Sequence, residues 1–310
     1  MVNFRFHIVS LVAVFLALAL GIGMGVTVID KATVDLLQNR LNNVRNDVRD
    51  ANAQGSRLQI QIDQSNKFVD EASAYLVNNR LDGVAVTIIR ISGADNASID
   101  QLAQLITESG GFVRGSLTVS DRANLGQADD IDDLSSALGV GTRDQAQLRT
   151  QLTERLASAV AGNSPSSGLR DLETQGFIAW SPGPNVGDLG TTSFAGGRVV
   201  VASGPTVRVA NDVVGHRLVR QMERQATGRV LAVDTGLGAT NDRQEVRSAF
   251  VKPLIDDAEL RTNVSTVDNL EQKVGRVAAV LALSDLGVGR AGHYGVGTGA
   301  TSILPPLARR

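Results

Sequence analysis

Between Ile8 and Ile29 the chain reads IVSLVAVFLALALGIGMGVTVI, with no charged side chain anywhere in the run. A helix rises about 1.5 Å per residue, so these about 22 residues cover roughly 33 Å, the hydrocarbon thickness of a bilayer. The run predicts a membrane-spanning helix. A cleaved secretory signal is the competing reading, because Ala17-Leu18-Ala19 offers a small-x-small site. A signal has a shorter apolar core and then a polar break, whereas this run continues to Ile29, which favours an uncleaved anchor. Inside it, Gly21 and Gly25 have the small-xxx-small spacing that lets two helix backbones approach, although glycine is common in membrane helices anyway. Arg5 precedes the span while Lys31, Arg40 and Arg45 follow it, so the basic residues alone leave its orientation open.

Beyond Asp30 the apolar pattern becomes a heptad repeat. One seam position reads Val34, Leu41, Val48, Gly55, Ile62, Val69, Leu76, and the other reads Leu37, Val44, Ala51, Leu58, Ser65, Ala72. Alternating spacings of three and four sustained this far predict a coiled coil, roughly 70 Å long. Val34, Leu37, Leu41, Val44, Val48, Leu58 and Ile62 are its expected partner-binding or oligomerisation residues. Gly55 removes packing and costs about 1 kcal/mol of helix propensity, which makes the middle soft. In a parallel homodimer Arg40 would face Arg45, Asp47 would face Asn52 and Gln54 would face Gln59, so the flanks encode no attractive self-pairing. Either the apolar seam dimerises with help from the anchor, or it receives a different coiled-coil partner. A plain spacer is the simpler alternative.

From Leu81 the period changes again. Val84 to Ile91 is β-rich, Ala97 to Glu108 is helical, and Phe112 to Val119 is β-rich, which is a βαβ unit. Helical patterns cover Ile131 to Leu138 and Arg143 to Val160, and Phe177 to Trp180 fits a short strand. Three more strand–helix alternations follow: Arg198 to Ala202 with Asp212 to Gln225, Arg229 to Val233 with Glu245 to Ala249, and Asn263 to Thr266 with Asn269 to Leu283. The fold class is α/β: an N-terminal transmembrane helix and coiled coil followed by a Rossmann-like three-layer domain with a mostly parallel sheet. The expected order is a short tail 1–7, anchor 8–29, coiled-coil stalk 30–77, α/β domain 81–300 and tail 301–310. Strands separated by helices exclude a transmembrane β-barrel.

Composition narrows the chemistry. The chain has 310 residues, a formal net charge of −2 and no Cys, so it lacks both a basic field for nucleic acid and any thiolate or disulfide chemistry. Ligand sites in open α/β sheets lie outside the carboxyl ends of strands. There Asp234 is the leading polar candidate, set against the commoner role of an Asp that caps the next turn. The G-x-G-x-x-G at Gly287 to Gly292 follows a helix, so it is not placed as a nucleotide loop, and neither a Walker A sequence nor G-x-S-x-G occurs. An enzyme is not expected, nor is a cofactor. For a metal, His216 and His293 are the candidate ligands, with Asp212 four residues before His216 and better read as its hydrogen-bond partner. With His7 they are the only His, and Met1, Met24 and Met222 the only Met, so no cluster suits Cu(I). The acidic run Asp129, Asp130, Asp132, Asp133 reads as a solvated helix start, with a weak hard-cation site as the alternative.

The opening MVNFRFHIVSLVAVFLALALGIGMG and the later NLEQKVGRVAAVLALSDLGVGRAGHYGVGTGATSILPP resemble the two ends of the actinobacterial MctB family of copper-transport proteins. The resemblance implies a cell-envelope protein, membrane-anchored with its α/β domain outside the cytoplasm, that serves copper efflux or homeostasis. A related corynebacterial group, SteB, implies instead a non-catalytic scaffold whose coiled coil and domain bind partners that regulate cell-wall hydrolysis. No catalytic set comes with the resemblance. Gly292, His293, Tyr294 and Gly295 form its most distinctive polar patch.

Overall fold

The structure, a computed structural model, describes residues 4–236 and 248–306, with the side chains of 26–33 outside that description. It divides into two compact units, Met1–Lys67 and Phe68–Arg310.

The elements in chain order are α1 (Phe4–Val77), β1 (Ala85–Ile91), α2 (Asn96–Glu108), β2 (Phe112–Val119), α3 (Ala128–Leu138), α4 (Gln145–Ala161), α5 (Arg170–Thr174) and β3 (Ile178–Pro182). They continue with β4 (Arg198–Ser203), α6 (His216–Gln225), β5 (Val230–Asp234), α7 (Val251–Asp256), β6 (Ser265–Val267), α8 (Lys273–Leu286) and β7 (His293–Tyr294).

In the first unit the apolar stretch Phe4–Gly25 is long enough to cross a bilayer, with a mean hydropathy of 2.5 and no residue buried by protein. The heptad residues that follow are on the same continuous helix.

The second unit is built on a seven-stranded sheet in the order β3-β2-β1-β4-β5-β6-β7, parallel throughout except for the antiparallel pair of β2 and β3. Successive residues of a strand point to opposite faces, and this alternation separates two cores. Val199 and Val201 of β4 face one way, into a cluster closed by Leu134 of α3, Leu152 of α4, Leu172 of α5, Leu218 of α6 and Leu254 of α7. Val200 and Ala202 face the other way, against Ile99 and Leu102 of α2, Val280 of α8 and Val77 at the end of α1. These three layers are the Rossmann-like architecture that the alternation of periods predicts.

Local chemistry sets the helix starts that matter for the site. Asp95 caps α2, accepting from the backbone N–H of Ala97 at 3.1 Å and of Ser98 at 3.2 Å. The final helix differs from its expected range: it starts at Lys273 rather than Asn269. Asn269 and Leu270 belong instead to a buried loop after β6, where the Leu270 N–H donates to the Asp234 carbonyl. The helix expected near Glu245 to Ala249 falls largely outside the described residues; the helix in this region is α7.

Candidate functional site

The strand order reverses between β1 and β4, and the crevice beyond their carboxyl ends is where doubly wound sheets take ligands. In this chain its own backbone closes that crevice. The Arg208 N–H donates to Ser92 O at 2.7 Å and the Thr206 hydroxyl donates to Gly93 O at 2.8 Å, which lays the segment after β4 across the end of β1. Gly93 makes the approach feasible. Its φ is +92°, and a Cβ there would stand 2.6 Å from Thr206 O and 2.8 Å from Arg208 N.

Asp234, the last residue of β5, is fully buried beside this closure. Its Oδ1 accepts from the Gly236 N–H at 3.2 Å, and its Oδ2 accepts from the Ser248 hydroxyl and, at 3.4 Å, from the Phe250 N–H. Ser248 Oγ in turn accepts from the Val251 N–H at 2.8 Å, so the carboxylate anchors the start of α7. Burial pushes the Asp234 carboxyl up to about 6, the repulsion of Glu271 adds to the rise, and the three donors oppose it. Thr235 continues the brace by accepting from the Asp95 N–H at 3.2 Å.

A second acid, Asp268, follows β6 and was missed in the sequence because it bordered a segment with helical periodicity. Its two oxygens accept from the N–H groups of Val296 and Gly297, each at 2.9 Å, and burial pushes its carboxyl up. Gly295, at φ +131°, lies where a Cβ would stand 1.9 Å from Asp268 Oδ1, which explains a glycine there. Asp95, Asp234 and Asp268 each spend their oxygens on donors in nearby loops. Together they fix the carboxyl edge of the sheet and leave little lone-pair capacity for a substrate. Next to Asp268, fully buried Asn269 has both polar atoms of its amide without a hydrogen-bond partner.

The two candidate metal-binding imidazoles have separate settings. His216 opens α6, donates from Nε2 to Phe250 O at 3.0 Å and stacks on the Phe250 ring, with centroids 5.7 Å apart. Burial lowers its pKa. The expected hydrogen bond to Asp212 is not formed: Asp212 acts on the ring only through its charge, because the imidazole is turned to Phe250. His293, in β7, uses both nitrogens. Arg261 O can only accept, so Nε2 donates to it at 3.0 Å, which leaves Nδ1 to accept from the Thr266 hydroxyl at 3.0 Å. Burial lowers this pKa as well. Among the described residues, no group of three or more His, Cys, Asp or Glu could hold a metal ion.

On α1 the arrangement is reversed: apolar groups face outward. Val34, Leu37, Leu41, Val44, Val48, Leu58 and Ile62 are each between 48% and 57% exposed. Added Cβ atoms at Gly21 and Gly25 would meet nothing within 4 Å, so both positions are open to another helix.

An apolar helix of membrane-spanning length, a heptad-bearing continuation and a doubly wound unit whose own chain crosses its crevice define a membrane-anchored α/β protein. The chain belongs to the family described as "Copper transport outer membrane protein, MctB", whose model matches residues 1–305. It is similar to the proteins named "Copper transporter MctB" of Mycobacterium tuberculosis and Mycobacterium bovis, at 27% identity over 329 residues, covering 98% of this chain and 99% of theirs. The protein of that name from Mycobacterium leprae is 27% identical over 332 residues, covering 99% of this chain and all of its own.

Proposed function

We propose that the chain serves copper efflux or homeostasis at the cell envelope as a membrane-anchored, self-associating and non-catalytic protein. The observation that carries this reading is the family match, which runs through anchor, heptads and α/β unit alike. Self-association draws support from the exposed heptad seam, whose apolar side chains would otherwise stand in water. The non-catalytic reading draws support from the closed crevice and from carboxylates already occupied by loop donors. The α/β unit lies outside the cytoplasm in this reading, in keeping with the family's outer-membrane description.

Copper is the cargo here. With both His293 nitrogens engaged and His216 turned to a carbonyl, neither imidazole is presented as part of a ligand set, so copper handling is a property of the assembly. The test is growth on graded copper of cells lacking the chain, complemented by wild type or by Leu41→Asp/Val48→Asp. Sensitivity relieved by wild type and not by an equally abundant variant supports the proposal. Equal copper tolerance with and without the chain overturns it.

A further inference from the structure

On the sheet face that carries α4, two loops border an open hollow of about 410 Å³ that neither the anchor nor the carboxyl edge accounts for. One loop follows α4 at Gly162 to Ser166, and the other runs from Gly190 to Ala195 before β4. No charged side chain lines the hollow. An ionic ligand would therefore find no charged side chain in the lining itself to replace the hydration it gives up.

The walls are held by groups other than those that face inward. Asn163 Nδ2 donates to the Gln225 carbonyl at 3.1 Å and to its Oε1 at 2.8 Å. The Thr192 hydroxyl shares its one proton between Gly187 O at 3.0 Å and Asp188 O at 2.9 Å. Arg114 reaches Phe194 O at 2.8 Å and Ala195 O at 2.7 Å, which fixes the second loop from the sheet side. Gly162, at φ +82°, lets the loops touch, since a Cβ there would stand 2.6 Å from the Ala195 Cα.

Three hydroxyls remain. Those of Ser164, Ser166 and Ser193 line the hollow and make no hydrogen bond to protein among the described residues. A hydroxyl both donates and accepts, so it matches a ligand whose own groups do the same. Pro165 and Ala195 supply carbon surface beside them, and Phe194 underlies the second loop from the core. Such a preorganised, uncharged mixture of hydroxyls and carbon faces is complementary to a sugar ring, with polar edges and C–H faces. The volume lies within the usual range for small-molecule sites and suits roughly one or two rings.

We propose that this hollow binds a neutral sugar, as a free saccharide or as a residue of a glycan. The proposal is independent of any copper role.

The chain's single tryptophan provides a reporter: Trp180 meets Phe194 edge to face, with centroids 5.4 Å apart, and Phe194 lines the hollow. The full chain, held in a polyoxyethylene detergent so that no maltoside headgroup competes, is titrated with glucose, galactose, mannose, arabinose and maltose, and separately with dextran and galactan. Trp180 emission and saturation-transfer NMR are both followed. We expect saturable binding of at least one neutral sugar, with glucose 6-phosphate and glucuronate weaker. Ser164→Ala/Ser193→Ala, which removes only unbonded hydroxyls, leaves the melting curve unchanged and weakens binding about tenfold or more. Binding of the free sugars supports a saccharide site, and binding of the polymers alone supports a glycan site. No saturable binding of any probe by either readout, unchanged affinity in the double variant, or equal affinity for the charged sugars overturns the proposal.

Discussion

Val44 and Val48 of α1 are each more than half exposed, whereas Val200 and Val201 of β4 are fully buried. Both pairs belong to regular elements with apolar periodicity, so the difference lies in where the partner surface comes from. In Phe68–Arg310 the chain supplies it: both faces of the sheet carry helices of the same unit. Among the described residues of Met1–Lys67 the apolar side chains stand exposed, and the partners we propose for them are lipid around Phe4–Gly25 and another helix along the heptads. The second unit is completed by its own core, and the first, in the proposed reading, by an assembly.

Substitutions that act on one unit alone are the way to break this contrast. The largest effect is expected for Leu41→Asp/Val48→Asp, because each removes seam packing and places a charge in it, at about 3 kcal/mol or more per helix. Association should be lost while the thermal transition of the α/β unit stays in place; a matching fall in that transition would join what we separate. The converse variant is Gly93→Val. It forces a branched side chain into a positive φ and against Thr206 and Arg208, and should cost the α/β unit about 2 to 3 kcal/mol with no change in oligomeric mass.

A pH titration sharpens the account of the carboxyl edge. The native state holds the Asp234 proton more tightly than the unfolded chain, so this group adds stability below about pH 4 that is lost as pH rises through about 6. The displacement from 3.8 to about 6 corresponds to about 3 kcal/mol. His216 and His293, with lowered pKa values, have the opposite sign and lose stability on acidification. Denaturant curves of wild type and Asp234→Asn cancel that histidine contribution. Wild type should lose about 3 kcal/mol of its advantage between about pH 4 and pH 7, and a constant difference would contradict the buried-carboxyl account. The smallest expected effect is a gain: Gly55→Ala should raise the helical stability of the seam by about 1 kcal/mol, read as a shift in the helix melt.

What was legible in the sequence follows the range of the forces involved. The apolar run and the strand–helix alternation of the second unit depend on neighbours within a few turns, and the alternation from β1 to β5 was readable for that reason. The antiparallel setting of β3 was not, since Phe177 to Trp180 carries no mark of strand direction. Nor was the closed crevice: Thr206 and Gly93 are 113 residues apart, and only the folded sheet brings them together. Asn269 shows the opposite failure. Local periodicity drew it into a helix, while the fold turns Asp268 and Asn269 into a loop that binds the end of β5 and the chain beyond β7.

We propose that the first unit is completed by another copy of the chain. Sedimentation of the full-length protein in detergent, with the bound detergent matched out, tests it directly. Self-association predicts the mass of a dimer for wild type and of a single chain for Leu41→Asp/Val48→Asp. A single chain for wild type, or one mass shared by both proteins, would contradict it.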